Sequence, residues 1–79
     1  MSTAPKFKAG DVIRYSRGET ALMRVESVSI DHAGQGRHRY YGEQCYGGVI
    51  GAYEADCSMP TARDLKTWAS ERKRYGLAS

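Results

Sequence analysis

Apolar and polar residues alternate with a period near two as far as Cys57, and the spacing turns helical after Pro60. Gly10-Asp11 is a turn signal, and Val12, Ile13 and Tyr15 after it are strand formers. Ser16-Arg17-Gly18-Glu19-Thr20 reads as a polar hairpin loop. From Ala21 to Ile30 the pattern points Met23, Val25, Val28 and Ile30 inward and leaves Arg24, Glu26, Ser27 and Ser29 polar. The step from Val25 to Val28 breaks the period and predicts a bulge. Asp31 to Arg37 is a loop. His38 to Cys45 forms a third strand, with Arg39 and Tyr41 on one face and Tyr40 on the other. Gly47-Gly48 supplies a turn, and Val49 to Asp56 a fourth strand broken at Gly51, so the pair reads as a hairpin.

After Cys57 the sequence Ser58-Met59-Pro60-Thr61-Ala62-Arg63-Asp64 has the marks of a helix start. Ser58 or Thr61 serves as cap, and Asp64 follows Thr61 at capping-box distance. Leu65, Trp68, Ala69 and Arg72 keep helical spacing, with Leu65 and Trp68 as the docking face, and Gly76 stops the helix. The expected architecture is α+β and mostly β. It is one domain over residues 1–79, with a frayed 1–5, a small bent antiparallel sheet of four to five strands over 7–57, and one helix over 61–75. The Phe7-Lys8-Ala9-Gly10-Asp11-Val12-Ile13 run resembles the first strand of Src-homology-3-like barrels, which implies a partly open barrel.

A chain of 79 residues lies near the lower limit for a self-sufficient core. No apolar run approaches the ~18 residues of a membrane span. The start, MSTAPKFK, lacks a secretion signal, so a cytoplasmic location is expected, with Cys45 and Cys57 as free thiols. The formal charge of +3 argues against an acidic DNA mimic and is too small to establish nucleic-acid binding.

His32, His38, Cys45 and Cys57 are the residues that could hold zinc, but no two lie two to four residues apart as in strong zinc signatures. No metal or other cofactor is expected. A nucleophilic site would combine Cys45 or Cys57 with His32 or His38 and an acid such as Asp31 or Asp56, and so small a chain can hardly wall off such a pocket. Gly34-Gln35-Gly36 and Gly47-Gly48 lack the lysine and following helix of a phosphate loop. An enzyme is therefore not expected.

The segment His32 to Tyr53 holds four of the six tyrosines and six of the nine glycines, a mixture suited to presenting side chains to a partner. Within it Arg37, Arg39, Tyr40, Tyr41 and Tyr46 are the candidate contacts, with Glu43 and Gln44 adding polar ones. Arginine interleaved with tyrosine suits base stacking and protein hot spots alike, and alternating tyrosine also suits a half-buried core. Composition leaves these three readings open. Trp68 is expected to anchor the helix, and the charges Lys66, Lys73 and Arg74 to be peripheral.

The run Phe7 to Trp68 resembles a set of small phage and prophage proteins. The matching pieces are Phe7 to Gly18, Thr20 to Met23, Arg39 to Cys45, Gly47-Gly48, Gly51 to Cys57 and Asp64 to Trp68. Within that set the chain is similar to anti-CRISPR inhibitors of the type I-C effector complex. The resemblance implies a non-enzymatic protein that binds the RNA-guided surveillance complex (a Cascade-type assembly) in the host cytoplasm and blocks target DNA. It transfers no site residue. Occlusion of the DNA entry point would use either an acidic patch of Glu43, Glu54 and Asp56, or an Arg/Tyr surface gripping an acidic region of a subunit. The alternative is a small barrel that binds DNA or RNA directly through the Arg/Tyr hairpin. The oligomeric state stays open between monomer and weak dimer.

Overall fold

A computed structural model of the protein describes residues 4–15, 21–33, 35 and 37–78. The expected Ser16–Thr20 loop, Gly34, Gly36 and the first three residues lie outside them. Five strands form one antiparallel open sheet: β1 Val12–Tyr15, β2 Leu22–Ser29, β3 Arg39–Gln44, β4 Val49–Tyr53 and β5 Cys57–Ser58, in the order β4-β3-β2-β1-β5. One helix, α1, spans Ala62–Arg74.

The predicted irregularity in β2 is a bulge. Val25 pairs with Gly42 and Ser27 with Tyr41, so Glu26 is the extra residue. Its insertion returns Val28 to the face of Met23 and Val25. Ile30, expected inside, lies past the end of β2 and is exposed, because no strand pairs there to carry it over the core. Gly42 sits where β2 and β3 approach closely: a Cβ there would stand 1.9 Å from the Arg24 carbonyl oxygen, a separation no side chain tolerates.

The expected break in the fourth strand at Gly51 does not occur. β4 runs through Gly51 to Tyr53 and gives way at Glu54–Asp56 to a 3-10 turn, after which β5 returns to pair with β1. The β3–β4 turn starts at Cys45 and ends with Gly47 and Gly48 at φ of +89° and +85°, a conformation glycine adopts without steric cost.

The sheet is covered across one face and over part of the other. On one lie Phe7, Ile13, Tyr15, Met23, Val25, Tyr40 and Ala52, with Val28, Ile50 and Cys57 at the margin. The N-terminal segment closes this face: the Phe7 ring meets Tyr40 edge-on at 5.5 Å, and the Phe7 amide donates to the Tyr40 hydroxyl at 3.2 Å. The other face carries Leu22, Cys45 and Val12 beneath Trp68 of α1.

Thr61 and Asp64 form the expected capping box, with reciprocal bonds of 3.1 and 2.9 Å. At the other end Leu77 N–H donates to Arg72 C=O and Gly76 N–H to Lys73 C=O, a Schellman closure. The docking face differs from the Leu65–Trp68 expectation. Leu65 is 47% exposed, and the buried helix residues are Asp64, Trp68 and Arg72, one above another at i, i+4 and i+8. Both charged members are compensated. Asp64 lies 3.7 Å from Arg14, and Arg72 lies 2.5 Å from Glu43 while donating to the Ala78 and Gln44 carbonyls. Trp68 is flanked by the guanidinium groups of Arg24 and Arg72 at 6.0 and 5.3 Å.

Candidate functional site

Alternation along β3 puts Arg39, Tyr41 and Glu43 on the face that carries the helix, and Tyr40 on the opposite one. Strand pairing then sorts the helix-side face into two halves. Val12, Leu22 and Arg24 stand at the end docked by α1, whereas Ser27, Ser29, Arg39, Tyr41, Gly51 and Tyr53 share the far end. Ser27, Ser29 and Tyr53 are exposed, and Arg39 and Tyr41 half-buried.

In this open half the Arg39 guanidinium lies 5.1 Å from the Tyr41 ring centre and 5.2 Å from that of Tyr53. Both contacts follow from register, since Arg39 pairs directly with Tyr53 and Tyr41 with Gly51. Gly51 leaves the floor clear: a Cβ there would crowd the Tyr41 ring at 3.1 Å and Arg39 Nε at 3.2 Å. Among the described residues no carboxylate pairs with Arg39, and its buried Nε has no hydrogen-bond partner. Two tyrosine rings thus hold the cation in place without neutralising it, so its charge remains available to a ligand.

Arg37 extends the cluster. With Tyr53, Ala55 and Asp56 it lines an open depression of about 400 Å³. Arg37 and two described residues of the preceding segment are tied to Asp31, whose carboxylate accepts from the amides of Ala33, Gln35 and Arg37 at 3.1, 2.8 and 2.9 Å. The bond from Arg37, joined by those from Gln35 and Ala33, holds the Asp31 carboxyl below its ordinary range despite some desolvation.

The other sequence-predicted contacts fall elsewhere. Tyr40 is fully buried and cannot meet a partner. Its hydroxyl donates to Glu54 at 2.5 Å, and burial, reinforced by that carboxylate, pushes its pKa up to about 12. Glu43 lies beside the helix, bridged to Arg72 and Arg24. Gln44 accepts hydrogen bonds from Tyr15 at 2.7 Å and from Tyr46. Tyr46 is exposed, but at the hairpin tip, where its ring meets Tyr75 edge-on at 6.4 Å. The structure therefore brings Arg37, Arg39 and Tyr41 together, adds Tyr53, and separates Tyr40, Glu43, Gln44 and Tyr46 from them. Tyr53 is not among the sequence-predicted contacts, yet a hairpin closed by Gly47-Gly48 sets Arg39 across from it.

The cysteines lie in separate clusters, Cys45 under Trp68 and Cys57 at the margin of the opposite core. Burial raises both thiols, that of Cys57 to about 11 with help from Asp56 and Glu54. His38 is buried and accepts the Asp31 amide at Nδ1 at 2.9 Å, whereas His32 is exposed. Among the described residues no group of three or more His, Cys, Asp or Glu side chains is placed to hold a metal ion, and no helix is long and apolar enough to cross a membrane. No protein-family model, curated protein or solved structure matches the chain.

Proposed function

We propose that the chain is a non-enzymatic binding protein whose working surface is the open half-face of Arg37, Arg39, Tyr41 and Tyr53. On the resemblance of its Phe7–Trp68 run, we propose further that it is a phage-encoded anti-CRISPR inhibitor. It would act in the host cytoplasm on the type I-C surveillance complex and block target DNA binding. The observation that carries the binding reading is Arg39, fixed between two rings with no acid among the described residues to neutralise it. Arginine and tyrosine give the most energy per contact at protein interfaces, and a guanidinium already held in place loses little freedom on binding.

Two forms of occlusion were open from sequence, and the geometry favours one. In the acidic-patch form Glu43, Glu54 and Asp56 would imitate DNA. Glu43 is engaged by two arginines, and Glu54 accepts from the Tyr40 hydroxyl and from the Lys6 amide at 2.7 Å. Only Asp56 of the three is exposed. The Arg/Tyr surface is the better candidate, gripping an acidic region of one subunit near the DNA entry point.

The test uses purified type I-C complex and labelled target duplex. Addition of the protein should abolish duplex binding at near-equimolar ratio. Arg39→Ala and Tyr53→Ala, once shown to melt like the parent, should each weaken inhibition by about thirtyfold, as hot spots of ~2 kcal/mol do. Unimpaired duplex binding would refute the inhibitor reading. Binding of the protein itself to nucleic acid, with a steep fall of log affinity against log salt, would replace it by the direct nucleic-acid reading.

A further inference from the structure

The two edges of the sheet are unequal. β5 has two residues, too few to template another strand, whereas β4 is a five-residue edge without lysine, proline or bulge. Natural edges usually carry one of those devices against pairing. The hydrogen bonds that flank β4 fix the direction of its backbone groups. Gln44 N–H donates to Gly48 C=O, and Glu54 N–H to His38 C=O. In an antiparallel ladder inward and outward groups alternate. Gly48, Ile50, Ala52 and Glu54 therefore turn their groups toward β3, while Val49, Gly51 and Tyr53 turn theirs outward. Of the outward groups the Tyr53 carbonyl is engaged within its own chain, as the first acceptor of the 3-10 turn and by the weak Cys57 thiol donor at 3.3 Å, whereas the groups of Val49 and Gly51 and the Tyr53 N–H have no partner among the described residues. Val49 is 75% exposed and Tyr53 48%.

We infer that two copies of this chain join along their β4 edges, antiparallel, about a two-fold axis at Gly51, in a weak reversible dimer. The edge is self-complementary in that register. Gly51 meets its own counterpart on the axis, and Val49 stands opposite Tyr53 of the second copy, whose N–H is placed to donate to the open Val49 carbonyl. The two most exposed apolar side chains of the strand thereby cover each other as a branched–aromatic pair. β4 carries no charge to oppose itself, and opposite the 3-10 turn of one copy stand Gly47 and Gly48 of the other, which present no side chain. A two-fold perpendicular to the sheet keeps the helix-side faces on one side. Both Arg39–Tyr41–Tyr53 clusters then lie on a single continuous surface, with Val49 of the second copy beside each Tyr53. The inference does not depend on the identity of the partner.

Five residues give an edge roughly 17 Å long. That falls well short of the ~800 Å² per partner of a standard stable interface, so the expected dissociation constant is on the order of 100 µM. Sedimentation equilibrium from about 10 µM to about 1 mM spans that range. The apparent mass should rise from 8.8 kDa toward twice that value. Over the same series the amides of Val49, Gly51 and Tyr53 should gain protection from hydrogen exchange. Val49→Lys places a charge on the joint at a side chain the monomer leaves in solvent, and should weaken association at least tenfold with an unchanged melt. Met59→Lys, at an equally exposed apolar residue outside β4, should leave it intact. A parent that stays monomeric throughout, or a dimer that Val49→Lys does not weaken, overturns the inference. So does association without edge-amide protection.

Discussion

Replacing Glu43 by alanine should unfold the protein more readily and leave the proposed recognition surface unaltered. The reason is Arg72, a guanidinium only 2% exposed on the buried side of α1. Four contacts compensate it: the Glu43 carboxylate at 2.5 Å, the Ala78 and Gln44 carbonyls at 2.7 and 3.3 Å, and the Trp68 ring at 5.3 Å. Glu43→Ala removes the only formal counter-charge among them. Breaking a fully buried ion pair costs about 3–5 kcal/mol, because the remaining charge stays desolvated. The cost here is smaller, since the Glu43 side chain is 29% exposed and two carbonyls still hold Arg72, so about 2 kcal/mol is expected. A domain of this size has a total stability of roughly 4–12 kcal/mol, and 2 kcal/mol lowers its Tm by about 8–16 °C. Circular-dichroism melts and urea titrations measure this directly. The double variant Glu43→Ala with Arg72→Met should regain much of the loss, because methionine leaves no charge to strand. A single variant that melts within about 3 °C of the parent yet binds its partner poorly would refute the reasoning. Glu43 would then be a contact residue, not a support of the helix.

Other outcomes follow from the same structure. Tyr40→Phe should cost about 1.5–3 kcal/mol near neutral pH, because it removes a buried hydroxyl bonded to a carboxylate. Raised to about 12 in the fold, Tyr40 contributes stability that is full below its unfolded value of 10.0 and is lost as pH rises through that interval. Ultraviolet titration should accordingly show a phenolate transition near pH 12 that the variant lacks. On the acid side three carboxyls are held low: Asp31 by backbone amides, foremost that of Arg37; Asp64 by the Thr61 amide and hydroxyl; and Glu54, where burial is outweighed by bonds from Tyr40 and Lys6. Depressed carboxyls stabilise the fold above the ordinary range of about 4, and stability should fall as pH drops below it; Asp31→Asn should flatten that decline. Both thiols should react slowly with a disulfide reagent at neutral pH and rapidly after denaturation, since burial keeps them protonated.

Elements whose signals are local were legible in the sequence. Period two gave the strands, the Val25-to-Val28 step gave the bulge, and Thr61 with Asp64 gave the helix start, because each arises from neighbours along the chain. Features set by tertiary contact were not. Leu65 reads as the docking residue because it is apolar, yet Asp64 and Arg72 flank Trp68 on the buried stripe, paired with Arg14 and Glu43 from strands far away in sequence. Leu22 gave no sign that the second face of the sheet is also covered in part, since alternation alone cannot say what lies above a strand. The end of β4 was misplaced for a related reason. Gly51 suggests a break, but it spares space for the Tyr41 ring within a continuous strand.

The candidate site shows where local reading stops and register takes over. The run Arg37-His38-Arg39-Tyr40-Tyr41 looks like a continuous aromatic–basic motif, but a strand divides it, sending His38 and Tyr40 into the interior and Arg37, Arg39 and Tyr41 toward solvent. In the proposed reading, what would make Arg39 a recognition group is a residue outside the motif. Tyr53 stands across the hairpin, so the two rings beside the guanidinium come from different strands and their spacing depends on the β3–β4 pairing. A one-residue slip of that hairpin would exchange every inward and outward side chain of β4 and carry Tyr53 to the other face. The Gly47-Gly48 turn and the buried Tyr40 hold the register, so residues outside the proposed surface fix the geometry of those on it. Rigid strands beneath a pair of tyrosines are also an economical way to limit the entropy lost on binding, since each ring has few torsions left to fix.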